Sequence, residues 1–191
     1  MKKRIFYIAA ILICLSLTTG GTLAYFNTTE TATNVITTGG VSIDVLVNGS
    51  LESDSDEPIP VMPATEVDRS ITVRSNKQAA WIRVNYTLTV YDAENKKMEI
   101  PADELKKVIV ITPDNTNWTQ KDGWWYYNTA VKNGETTAPL FEKIAFSGPD
   151  MDNKYQLCTL VVDINAQAVQ QANNKTSATE ALGWPEIGEE E

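Results

Sequence analysis

Histidine is absent from this chain of 191 residues, and its absence excludes most familiar catalytic constellations. Ser-His-Asp and Cys-His arrangements need an imidazole to carry a proton, and the HExxH zinc motif needs two imidazole ligands. Cysteine occurs only twice, too few for a cysteine-based zinc cluster. Paired carboxylates can cleave glycosidic bonds, but among 25 acidic residues any such pair is uninformative. The sequence therefore predicts a protein that is not an enzyme and has no cofactor.

Positive charge is also scarce. Sixteen basic residues face 25 acidic ones, which gives a formal net charge of −9. Such a chain repels nucleic acid and anionic lipid, and no basic motif counters this repulsion. We expect no nucleic-acid partner.

The first 24 residues have the layout of a secretory signal peptide. Three basic residues open the chain, an apolar stretch runs from Ile5 to Leu17, and Thr22-Leu23-Ala24 is a small-x-small cleavage site. We expect cleavage between Ala24 and Tyr25, which takes the net charge from −9 to −12 by removing three positive charges. The alternative is a retained membrane anchor, although the strongly apolar part is short for a span. The predicted location is outside the cell, with membrane contact only through the signal.

The two cysteines do not pair in the mature protein. Cys14 lies in the signal and leaves with it, so Cys158 remains alone. Cys158 belongs to an alternating strand pattern, which predicts a buried, inert thiol. An intermolecular bridge is the alternative.

Alternation of apolar and polar residues dominates the rest of the chain and predicts strands. The alternating segments are 41–47, 70–74, 81–90 and 158–168. Val108-Ile109-Val110-Ile111 is apolar on both faces, which favours a central strand. Turn dipeptides separate these runs: Asn48-Gly49, Asp122-Gly123 and Asn133-Gly134.

Helix signals are few. Pro101 and two acids precede two lysines in the segment 101–107, which matches the helix dipole. A second short helix is predicted from about Ser177 to Leu182, ending at Gly183. Many strands with one or two helical inserts predict an all-β, antiparallel β-sandwich in one domain, residues 41–191. Alternation alone does not separate a jelly roll from an immunoglobulin-like sandwich.

An arm of residues 25–40 precedes this domain. Its middle is rich in threonine, and Gly39-Gly40 supplies a hinge before the first strand. Phe26, Val35 and Ile36 are available to dock elsewhere. An extended segment can add to the edge of another subunit's sheet, and head-to-tail repetition of that contact builds a fibre. The alternative is an arm that folds back on its own domain or stays disordered.

Two further segments are candidates for binding. Aromatic side chains flank the turn at Asp122-Gly123, and we expect one facing pair to be core and the other half-exposed, for sugar stacking, a subunit contact or cross-strand packing. These residues are Trp118, Trp124, Trp125, Tyr126 and Tyr127. The acidic segment 52–58 offers a weak calcium candidate in Asp54, Asp56 and Glu57, against a solvated loop as the plain interpretation.

The N-terminal block resembles the TasA/camelysin family of secreted biofilm-matrix proteins. The family's signal motif is matched by Gly21-Thr22-Leu23-Ala24-Tyr25-Phe26, and a following motif by Asn34 to Ile43. Later segments are similar to the clostridial BsaA-type branch. They are Trp81-Ile82-Arg83-Val84, Asp122-Gly123-Trp124-Trp125-Tyr126-Tyr127, Pro139-Leu140-Phe141 and Ala166-Gln167-Ala168-Val169-Gln170.

The resemblance implies a jelly-roll-like fold and processing by a dedicated signal peptidase of the endoplasmic-reticulum type. It also implies a structural subunit that polymerises with itself into extracellular matrix or cell-surface fibres by donor-strand exchange. The polymerisation arm would comprise Tyr25, Phe26, Asn34, Val35, Ile36, Gly39 and Gly40. An accessory or anchor matrix protein is a further expected partner. Camelysins are described as metalloproteases, but the missing histidines count against that activity here. The alternative function is a monomeric surface module for glycan binding or adhesion.

Overall fold

Strands that pair mainly in antiparallel fashion are the chief regular structure of the part of the chain that the structure describes. In a computed structural model, the structure describes residues 33–37, 40–51 and 59–185. The strands are β1 Thr33–Thr37, β2 Ile43–Val47, β3 Ser50–Leu51, β4 Ile59–Pro60, β5 Glu66–Asp68, β6 Ile71–Ser75, β7 Ala80–Tyr91, β8 Ile109–Ile111, β9 Trp118–Lys121, β10 Trp124–Tyr127, β11 Lys143–Phe146 and β12 Thr159–Gln170. One helix, α1, spans Ala102–Val108, and single 3-10 turns span Asn153–Tyr155 and Ala178–Glu180.

The largest sheet has six strands and is built on β7 and β12. These two twelve-residue strands pair along their full length in antiparallel register, from Thr159 opposite Tyr91 to Gln170 opposite Ala80. The strand order is β1-β12-β7-β10-β9, and β4 also pairs with β12. Two three-stranded sheets, β5-β11-β8 and β3-β2-β6, complete the described architecture. The predicted all-β class is confirmed.

The main core collects apolar side chains from all three sheets. Alternate residues of β12, including Leu160, Val162 and Ile164, point into it together with Ile82 and Val84 of β7. Each such side chain contributes about 1.5–3 kcal/mol of burial free energy. Burial of these side chains therefore holds β12 against the main core.

Several local predictions are confirmed. α1 begins after Pro101, carries acids in its first turn and lysines in its last turn. Asn48-Gly49 and Asp122-Gly123 have positive φ angles at both positions and close the β2–β3 and β9–β10 hairpins. The segment 177–182 forms only one 3-10 turn, at Ala178–Glu180, so the second predicted helix is shorter than expected.

The prediction of a central strand at residues 108–111 is wrong. The strand β8 is at an edge of its sheet and pairs only with β11 among the described strands. Val110 is 45% exposed and lies beside two surface grooves, while Ile109 is buried. The apolar run therefore has one buried face, at Ile109, and one exposed face, at Val110.

Candidate functional site

The outer edge of β12 is the position where the arm meets the domain. β1 pairs with β12 in parallel register, from Thr33 opposite Ile164 to Thr37 opposite Ala168. It is the only parallel pair among the described strands. β1 is the end strand of the sheet, so removing it would leave this stretch of β12 as an unpaired edge.

The stretch of β12 that pairs with β1 carries small side chains on its core-facing side. Ala166 and Ala168 of β12 are fully buried, and their register partners in β1 are Val35 and Thr37. Val35 remains 39% exposed, as an edge strand's residue often does. The arm is thus attached by main-chain pairing to β12, with modest side-chain burial at Val35.

Part of the predicted arm lies outside the described residues. Tyr25, Phe26 and Gly39 fall there, and so does the predicted cleavage position between Ala24 and Tyr25. Asn34 and Ile36 are described as backbone positions of β1, opposite Asn165 and Gln167. Gly40 has a φ of +75°, a left-handed conformation that glycine adopts without strain, and it turns the chain toward β2.

The opposite face of the same sheet carries a polar residue that is completely buried. Gln167 of β12 is 0% exposed. Its Oε1 accepts two hydrogen bonds from Arg83 of β7, from Nε at 2.9 Å and from Nη2 at 2.6 Å. Its Nε2 has no hydrogen-bond partner.

Arg83 is held in place by two tryptophan rings. Its guanidinium carbon lies 4.2 Å from the ring centre of Trp124 and 4.7 Å from that of Trp184. Arg83 also donates to the Tyr126 hydroxyl and to the carbonyl oxygen of Pro185, each at 3.1 Å. These cation–π contacts and hydrogen bonds fix the guanidinium in one orientation.

The C-terminal segment covers this face. Ala178 and Ala181 pack with Trp81, Trp124 and Val169 in a second apolar cluster. The Nε1 of Trp81 donates to the carbonyl oxygen of Lys175 at 3.0 Å. The segment 175–185 therefore covers the outer face of the sheet around Trp81, Trp124 and Val169.

The expectation that one aromatic pair of the hairpin is half-exposed is wrong, because only Tyr127 of the four hairpin residues is not fully buried. Trp124 and Tyr126 share the outer face and are buried beneath the C-terminal segment, whereas Trp125 is buried in the main core. Tyr127 is half-buried and packs against the buried Trp118 with ring centres 5.0 Å apart. Four of these five residues are therefore buried, which counts against stacking of a sugar on their rings.

The remaining candidates add no site in the described part of the chain. Asp54, Asp56 and Glu57 lie outside the described residues, and no metal-binding group of three or more suitable side chains occurs among the described ones. Cys158 is a free, buried thiol, as predicted. Burial raises its pKa, with a smaller contribution from the carboxylates of Asp92 and Glu94.

Sequence patterns predicted the surroundings of Gln167 only in part. Arg83 and Gln167 both occupy outward positions of alternating strands, where polar side chains normally face water. Trp184 stands near the C-terminus in a segment with few other apolar residues. The one local signal is Trp81, which stands two positions before Arg83 and therefore on the same outward face of β7.

Comparison with protein-family models, with curated proteins and with solved structures gave no match. In the described residues, no helix combines the length and apolarity that crossing a bilayer requires.

Proposed function

We propose that this protein is a secreted structural subunit that polymerises into extracellular matrix or cell-surface fibres. In this proposal residues 1–24 are a signal peptide, and the described sheets form a jelly-roll-like sandwich. The arm of one subunit pairs with the sheet of the next. Support comes from the sequence resemblance to secreted matrix proteins and from one structural observation, the pairing of β1 with β12.

The pairing of β1 with β12 carries the proposal, because the arm and the strand edge that binds it are two separate surfaces of the protein. β1 is joined to the domain through Gly40, and among the described strands it pairs with β12 alone. An element that pairs with its own domain can pair in the same way with an identical domain. Main-chain hydrogen bonds supply the attraction, and the buried small residues Ala166 and Ala168 supply a surface of defined shape.

The exchange produces an open chain of subunits. Donor and acceptor are different surfaces, β1 on one subunit and the edge of β12 on the next. A contact between unlike surfaces repeats without closing unless its rotation generates a ring. A fibre is the expected product, with the high net negative charge of the domain limiting lateral association.

Cleavage after Ala24 is the proposed switch. While Tyr25 is joined to a membrane-embedded signal, the arm has no free end to reach another subunit. A signal peptidase releases that end, and a dedicated enzyme of the endoplasmic-reticulum type is the proposed partner. A preparation that forms fibres equally well with its signal attached would contradict this step.

The test compares mature residues 25–191 with a matched protein that lacks residues 25–38. Light scattering and electron microscopy should show fibres from the longer protein alone. Monomers from both would overturn self-assembly and favour the monomeric glycan-binding or adhesion module. A glycan array, run on the shorter protein, then tests that module directly.

A further inference from the structure

A groove lies between one edge of β7 and one edge of β8. Its volume is about 510 Å³, and it is lined by residues 86–88 of β7, residues 109–111 of β8 and part of α1. β7 pairs with β12 along its whole length, but with β10 only at Arg83 and Val84. Among the described strands, none pairs with residues 86–88 on the side away from β12, and none pairs with β8 on the side away from β11.

Main-chain groups of β7 point to the groove side of the strand. Successive residues of a paired strand direct their N–H and C=O groups to alternate sides. On the side away from β12, Ala80 exchanges two hydrogen bonds with Val131, each at 2.9 Å, and the Val90 carbonyl also accepts a hydrogen bond. Because the register with β12 is unbroken, Tyr86 and Leu88 direct their main-chain groups to that same side.

The strand β8 presents an edge of the same kind. The Val108 carbonyl accepts a hydrogen bond at 2.9 Å from Ser147, which follows β11, and Val110 is opposite Ala145 of β11. By the same alternation, Ile111 directs its N–H and C=O groups away from β11. An extended segment placed between the two strands would therefore meet main-chain donors and acceptors on both sides.

Apolar side chains around the groove are incompletely covered. Tyr86, Leu88, Leu105 and Ile111 pack against the main core but are only partly buried. Val110 is 45% exposed. An added strand would remove apolar surface of these residues from water, which is favourable.

The proposed exchange of β1 needs a contact that a separate subunit lacks. When β1 moves from its own β12 to that of another copy, the same pairing is broken once and made once. A change that makes no contact beyond those it breaks has almost no driving force of its own. Docking in the β7–β8 groove would supply a contact that is additional to this exchange.

We infer that residues 25–32 of one copy dock as an extended strand in the β7–β8 groove of another copy, and that this contact drives assembly. This inference rests on the proposed function, since residues 25–32 are the part of the arm that precedes β1. Main-chain hydrogen bonds to both edges supply the attraction, and the apolar side chains of the groove supply the burial.

The composition of residues 25–32 fits the groove. Residues 52–58 and 186–191 also lie outside the described residues, but each of these segments carries four acids, whereas residues 25–32 carry one, Glu30. Among the described residues that line the groove, Lys106 alone is charged, so one acid can meet one base. Two aromatic residues and three threonines in the segment favour an extended, partly buried strand.

Cysteines on separate chains locate the docking site. Every mature chain carries Cys158→Ala. Donor chains carry Thr28→Cys or Thr29→Cys, one for each face of an extended segment. Acceptor chains, tagged to differ in mass, carry Thr87→Cys in the groove lining or Thr136→Cys beside β6, two identical changes at exposed threonines.

Under mild oxidation, one of the donors should form at least about fivefold more adduct with Thr87→Cys than with Thr136→Cys, because a disulfide needs its two Cα atoms within about 7 Å. Equal yields from the two acceptors, in a preparation that still forms fibres, would overturn docking in the groove and leave the exchange of β1 intact. The absence of both adducts and fibres would overturn the proposed function as well.

The lowest protein concentration that gives fibres tests whether the groove drives assembly. Val110→Lys places a charge in the groove lining, and Leu51→Lys makes the same change of charge on β3 at a similarly exposed position, 42% against 45%. Circular dichroism checks that both variants fold. Val110→Lys should raise this concentration at least about tenfold, and Leu51→Lys should change it less than about twofold. Equal concentrations for the two variants would overturn the groove as the driving contact.

Discussion

Arg83 and Gln167 lie opposite each other on adjacent strands, and the arginine donates twice to the glutamine Oε1, at 2.9 and 2.6 Å. The pair links β7, the arm-binding strand β12 and the C-terminal segment. Arg83 reaches the C-terminal segment through Trp184 and Pro185, and Gln167 lies on the strand that holds the arm. The C-terminal cover and the arm-binding edge are therefore in contact through one pair of side chains.

Replacing Arg83 by alanine should lower the free energy of unfolding by about 2–4 kcal/mol, because the Gln167 Oε1 loses its donors and Trp124 and Trp184 lose their contact with the guanidinium. Urea denaturation followed by circular dichroism measures the change. Arg74→Ala is the matched control. Arg74 pairs with Asp44 at 2.6 Å at a partly exposed site, so its loss should cost at most about 1 kcal/mol. Equal losses in the two variants would contradict the central place given to Arg83.

Replacing Trp184 by alanine should open the outer face of the sheet. The ring stacks on Arg83 and meets Tyr126 edge-on at 5.8 Å, so its removal should cost about 1–2 kcal/mol. Water would then reach Trp124, and tryptophan emission should shift to longer wavelength. Leu182→Ala, in the same segment but 67% exposed, should change stability by less than about 0.5 kcal/mol. Unchanged emission in Trp184→Ala would show that the segment does not seal this face.

The Cys158 thiol should react with a maleimide at least about tenfold more slowly in the native protein than in urea. Its burial keeps reagent away and raises its pKa, so little thiolate forms at neutral pH. Mass spectrometry of timed samples gives the two rates. Native labelling as fast as in urea, or a disulfide-linked dimer on a non-reducing gel, would contradict the buried, inert state.

Stability should fall on acidification through the carboxylate of Glu104. Hydrogen bonds from Lys154 and from the Tyr155 hydroxyl, the latter at 2.6 Å, lower the pKa of Glu104 below its usual 4.5. A lowered folded-state pKa stabilises the protein above the unfolded pKa, and that stability is lost as pH falls through the folded pKa. Glu104→Gln should flatten the decline of the urea midpoint that begins as the pH falls through the unfolded value of 4.5. The exposed Glu99→Gln is the control, and an identical decline in both variants would contradict this role.

Strands with regular alternation were predictable because their pattern is local. β7 and β12 bury one face against the main core, and apolar residues recur at every second position as the pleat requires. The hairpin turns and α1 were also predictable, since glycine after asparagine or aspartate, and proline before acids, act over only a few residues.

The surroundings of the candidate site depend on contacts between distant parts of the sequence. The hairpin aromatics are buried on both faces because Trp184 and its neighbours fold over Trp124. No local sequence pattern predicts that a segment some 60 residues away covers this face. β8 is an edge strand for a related reason, since the number of partners of a strand is fixed by the whole sheet. The parallel pairing of β1 with β12 joins residues more than 120 positions apart.

Binding of a free arm to a domain that has lost its own tests the central claim most directly. A labelled peptide of residues 25–38 is titrated into protein 39–191, whose folding is checked by circular dichroism, and into protein 25–191 as the control. Fluorescence anisotropy should show saturable binding to the shorter protein and weaker binding to the longer one, whose β12 edge is already paired. A folded 39–191 that binds no peptide would contradict strand addition at β12.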